Sequence, residues 1–114
     1  MVNPWRGEVR LVLDGRAHVM RLTLGALAEL EERLGANSLV ALVERFEEGR
    51  FSARDLLALL AAGLRGGGWQ GDEDALARAD IEGGPGAAAR AAARLLARAF
   101  GAEGDGGNGT KTGV

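Results

Sequence analysis

Between Thr23 and Gly68 apolar residues recur at helical spacing in three consecutive segments, each closed by its own stop signal. The first predicts a helix from Leu24 to Leu34, with Thr23 as N-cap and Gly35 just past the end. The second carries Leu39, Leu42, Val43 and Phe46 at i, i+3, i+4 and i+7, which predicts a helix from Ser38 to Glu48 that stops at Gly49. In the third, Ser52 and Asp55 stand at capping-box spacing and open a helix from Ala53 to Arg65. Its apolar residues, Leu56 to Leu64, sweep about 200° of the helical wheel, twice the stripe of an ordinary surface helix. That width makes it the expected central helix, ended by Gly66, Gly67 and Gly68.

Ahead of these helices the period changes from 3.6 to 2. EVRLVLD and RAHVMRLT flank Asp14-Gly15, the pair that favours a type I′ turn, and predict a β-hairpin. With a two-residue loop, Glu8 stands opposite Arg21, and Val9, Leu11, Leu13, His18, Met20 and Leu22 share one face. A four-residue loop keeps the faces but opposes Arg10 to Arg21, and directly opposed like charges are destabilising. A two-stranded hairpin is only marginally stable alone, so its apolar face is expected to lie on the helices. Pro4 and Trp5 precede it as an extended lead-in whose indole covers an edge of the core.

After the glycine triplet, Asp72 caps a short expected helix with acidic residues in its first turn, where the macrodipole favours them. Glu82 to Gly84 form a break. Pro85 then starts a last helix to Phe100, with Leu95, Leu96, Ala99 and Phe100 inward and Arg90, Arg94 and Arg98 in a solvated stripe. From Gly101 on only Val114 could anchor the chain, which predicts a disordered glycine-rich tail over 102–114 and one domain over 1–101. The fold class expected is α+β, mostly α: an N-terminal hairpin packed on four to five short helices.

Composition narrows the function more than it names it. The chain of 114 residues is 46% hydrophobic, enough for a single core, and that core is aliphatic, with seventeen Leu against three Phe and two Trp. A net charge of -2 with the signs interleaved argues against nucleic acid or an anionic membrane as the main partner. No apolar run reaches the roughly 18 residues of a membrane span, and no signal-peptide pattern opens the chain, so a cytoplasmic location is expected. With no Cys and one His, thiolate and all-imidazole metal sites are excluded. His18 has no nucleophile or carboxylate marked as its partner, and the glycine triplet closes a helix instead of opening one before Lys and Ser or Thr, so it does not read as a phosphate loop. The expectation is no enzyme, no catalytic residue, no cofactor and no metal.

What remains is contact with other proteins. Glu31 falls between Leu24, Leu27 and Leu34 on its wheel, inside the apolar arc, where a carboxylate is out of place unless it reaches the rim or serves a partner. Leu57 and Leu64 mark one edge of the wide arc of the third helix, which is either covered within the chain or left as the edge of a groove. With Trp69, directly after the triplet, these residues are the partner-binding candidates.

The hairpin, then LTLGALAELE (Leu22 to Glu31), then AGLRGGG (Ala62 to Gly68), and then EGGPGAAARAAARLLARAFG together resemble the gene transfer agent tail protein family labelled GTA-gp10, relatives of phage tail assembly chaperones. The resemblance spans roughly residues 5–101. It implies a protein encoded among tail genes, between the tail tube and the tape measure, that serves as a tail assembly chaperone; some labels for the family say tail tube protein instead. It implies tape-measure and tail tube proteins as partners and no catalytic residues, while a homo-oligomer stays open. A tube subunit must lend several strands to a closed barrel shared between subunits. One hairpin and four or five helices suit a chaperone better, with an apolar groove for an amphipathic helix of the tape measure.

Overall fold

A computed structural model describes residues 8–35 and 38–100. The chain runs β1 (Glu8–Leu13), β2 (Arg16–Arg21), α1 (Leu24–Leu34), α2 (Ser38–Glu47), α3 (Ala53–Gly66), α4 (Glu73–Arg78) and α5 (Gly84–Phe100). It is an α+β fold, mostly helical, with one two-stranded antiparallel sheet among the described residues. The helix ends fall within one residue of those read from the sequence. The expected Trp5 lead-in and the tail from Ala102 lie outside the described residues.

The hairpin forms in the register that separates Arg10 from Arg21: Glu8 pairs with Arg21, Arg10 with Val19 and Leu13 with Arg16. Its loop is two residues because Asp14 and Gly15 both take positive φ, 51° and 82°, as a type I′ turn requires. Val9, Leu11, Leu13 and Met20 are buried, and His18 on the same face is half-buried at the rim. These side chains lie on α3 and α5.

Helix α3 is the centre of the molecule. Every residue from Ala58 to Leu64 is buried, which is the signature of a helix covered on all sides. It packs on α1, α4, α5 and β2. Its start is fixed by a reciprocal capping box. The Asp55 N–H donates to Ser52 Oγ at 3.0 Å, and the Ser52 N–H donates to Asp55 Oδ2 at 3.0 Å, so the short Asp side chain reaches as well as the usual Glu.

Asp55 has a second role that the sequence did not reveal. The Arg45 guanidinium of α2 donates to both its oxygens, from Nε at 2.8 Å and Nη2 at 3.0 Å, tying α2 to the first turn of α3. Burial alone would push the Asp55 carboxyl up, but the hydrogen bonds from Arg45 and Ser52 outweigh it and hold the group below its ordinary value. A depressed folded-state pKa means that the carboxylate stabilises the fold above the unfolded value of about 4, and that this contribution is lost as pH falls through the folded value. Asp55→Asn is therefore expected to cost about 1.5–3 kcal/mol at neutral pH, the range for hydrogen bonds to charged groups. In urea melts the gap between wild type and variant should begin to narrow below about pH 4 and close as pH falls past the lower folded-state value; a gap independent of pH would mean that the charge contributes nothing.

A two-stranded ribbon has two edges to protect; β2 is met by α3, and β1 is met over its turn half. On the β2 side the C-terminal end of α3 lies against the strand backbone: a Cβ on Gly66 would meet the carbonyl oxygen of Arg21, and one on Gly67 the carbonyl oxygen of Val19, well inside 3.0 Å. On the β1 side, the Glu82 N–H donates to the Val12 carbonyl at 3.1 Å and the Asp14 N–H to the Asp80 carbonyl at 2.8 Å. Leu13 and Ile81 form an isolated antiparallel bridge between them. The link between α4 and α5 thus lies along the turn half of β1.

Candidate functional site

The four candidate residues do not converge. Leu64 is fully buried, covered within the chain and not a groove edge; the second half of α3 is enclosed by α1, β2 and α5. Glu31 is exposed, not set into the apolar face of α1. It borders an open depression with Gly25, Ala28, Glu29 and Glu32, because α1 buries only the narrow stripe through Ala26 and Leu30. Trp69 is half-buried, packs on the core, and donates its backbone N–H to the Leu64 carbonyl at 2.9 Å, closing the end of α3. Its indole lies over Gly71, where a Cβ would strike the ring.

Leu57 alone borders a cleft. The first half of α3, α4 and the start of α5 enclose about 380 Å³, lined chiefly by Leu56, Leu57, Leu60, Leu76, Ile81 and Pro85, with the exposed Asp80 at the rim. Leu56, Leu57 and Ile81 are half-buried, leaving apolar surface open to an occupant.

The walls of this cleft are held by charge and capping. Asp72 Oδ1 accepts the Ala75 N–H at 2.9 Å and starts α4. Arg33 of α1 grips Glu73 in a bidentate pair, Nε to Oε2 at 2.8 Å and Nη2 to Oε1 at 2.9 Å. The Arg33 hydrogen bond keeps the Glu73 carboxyl below its ordinary range. Ile81 is placed by its bridge to Leu13. Sequence reading missed Leu76 and Ile81 as cleft residues, although each is an isolated large aliphatic in a polar stretch, a signal that something must cover it.

A second apolar groove, about 210 Å³, lies between α2 and α5, lined by Val43, Phe46, Ala93, Leu96, Ala97 and Phe100, with Glu47 beside it. Phe46 also stacks on Phe51, ring centroids 4.3 Å apart and nearly parallel, which fixes its ring at the groove floor. Among the described residues no group of three His, Asp or Glu side chains could hold a metal ion, and no helix is long and apolar enough to cross a membrane. Both grooves are lined mainly by apolar side chains.

Residues 6–102 match the family described as phage tail tube protein, GTA-gp10. The chain belongs to this family. Its protein is therefore a component of phage-like tail biology, and the match takes in every described element, from the hairpin to the end of α5. No curated protein and no solved structure matches the chain. Membership of the GTA-gp10 family implies protein partners within a tail assembly, consistent with grooves lined by leucine, alanine and phenylalanine.

Proposed function

We propose that this protein is a tail assembly chaperone of a phage-like gene transfer agent, acting in the cytoplasm on the tape-measure protein, the tail tube protein or both. The observation that carries the reading is the state of the hairpin edges. A subunit of a shared barrel has to offer strand edges to its neighbours. Here the end of α3 covers the β2 backbone at Val19 and Arg21, and residues 80–82 cover the turn half of β1. Opening the β2 edge or the turn half of β1 would mean displacing the central helix or the α4–α5 link. The cleft at Leu56, Leu57 and Ile81 supplies instead a place for the apolar face of a partner helix, the mode in which grooves bind amphipathic segments.

The family description favours a second reading, a structural tube subunit. Mass spectrometry of purified particles separates the two. A chaperone is expected to be absent, or far below the stoichiometry of the tube, while deletion of its gene leaves tailless or short-tailed particles. Stoichiometric presence in mature tails would overturn the chaperone reading.

A further inference from the structure

We infer that the face formed by α2 and α5 is the interface of a two-fold dimer, its occupant a second copy of this chain. Among the described residues, two of the three large hydrophobic residues left most exposed, Val40 (66%) and Phe100 (45%), belong to these two helices. Val40 stands three residues from Val43, and Phe100 borders the same groove as Val43, Phe46 and Leu96, so the apolar surface is continuous across both helices. The second half of α3 is buried within the chain, whereas this face leaves Val40 and Phe100 in solvent and Val43 and Phe46 half-buried.

The charges beside the groove say what covers it. On α2 the outward positions next to Val40 and Val43 are Glu44 and Glu47; on α5 those next to Ala93 and Ala97 are Arg90 and Arg94. All four are exposed, and none makes an ion pair among the described residues. One surface thus has an acidic border on one helix and a basic border on the other. A two-fold axis that lays α2 on α2 opposes like charges. An axis that lays α2 of each copy on α5 of the other opposes Glu44 and Glu47 to Arg90 and Arg94, twice, around a shared apolar centre. A self-complementary patch of this kind is what an isologous interface requires, and charge selects the α2-on-α5 arrangement. The dimer does not depend on the chaperone reading, since both tail roles are compatible with it.

Sedimentation of the full chain across a concentration series tests the interface. Wild type is expected to pass from monomer to dimer. The doubly reversed variants E44R/E47R and R90E/R94E should each remain monomeric, weakening self-association by at least about tenfold, because each opposes like charges at both contacts. Mixed together they should form a heterodimer, since the reversed α2 of one meets the reversed α5 of the other. Circular dichroism checks that each is folded, and Phe100→Ser, which removes an exposed apolar side chain without touching charge, should weaken the dimer independently. A wild type that stays monomeric, a dimer indifferent to all three variants, or reversed variants that fail to pair on mixing would each overturn the inference, as would a monomer that uses this face only for a different protein.

Discussion

Gly66→Ala is expected to lower the melting temperature by roughly 10–20 °C, from about 2–3 kcal/mol of overpacking in a domain where 1 kcal/mol is worth several degrees. The sign is the informative part. Gly66 is a helical residue, and alanine is intrinsically better than glycine in a helix by about 1 kcal/mol, so a free helix end would gain stability from the change. Here the new methyl would be driven into the Arg21 carbonyl, which is strand backbone with no rotamer to relax into. Gly67→Ala should behave the same way through the Val19 carbonyl. Gly68 is the control: it has φ of 108° and nothing near its missing Cβ, so its alanine variant should lose only the backbone strain, about 1 kcal/mol. Thermal unfolding of the three variants checks the order. A stabilised Gly66→Ala would show that α3 does not hold the β2 edge, leaving that edge free for a neighbouring tube subunit.

Those glycines also show what was legible in the sequence and what was not. Stop signals, caps and the Asp14-Gly15 turn are local, so the helix starts at Thr23, Ser52 and Asp72, and the hairpin register, could be read directly. The glycine triplet was read as a helix end, which it is; that two of its members exist to let a helix approach a strand forty-odd residues earlier in the chain is a tertiary fact with no local sign. The same holds for Asp55, recognisable as a capping residue but not as the acceptor for Arg45. Glu31 reaches solvent, as a carboxylate at the rim of the apolar arc should. Its wheel position is near apolar residues, but Leu24 beside it is itself 85% exposed, so the arc assumed to be buried is wider than the stripe α1 uses.

The candidate site depended on a degeneracy of the helical wheel. Leu57 and Leu64 are seven residues apart, so they project to nearly the same angle, and periodicity could not distinguish them. They differ in position along the axis, two turns apart, where the neighbours change from α4 and the start of α5 to α1, β2 and the middle of α5. One borders the open cleft and the other is sealed.

That difference predicts opposite outcomes for the same substitution. Leu64→Asp places an unpaired carboxylate at a site with no exposure, at a cost of several kcal/mol, a large share of the roughly 5–15 kcal/mol available to a domain. It is expected to abolish the cooperative unfolding transition and most of the helical circular dichroism signal. Leu57→Asp lets the carboxylate reach water at the cleft mouth and gives up only part of one apolar contact, about 1–2 kcal/mol, so the variant should fold. If the cleft receives an apolar helix face of the tape-measure protein, the same change puts a charge where the partner would bury leucine-like side chains, and co-purification should fall by at least about tenfold. A folded Leu57→Asp that still captures the tape measure would move the chaperone surface away from α3 and α4, while leaving the role itself to be decided by the composition of the particle.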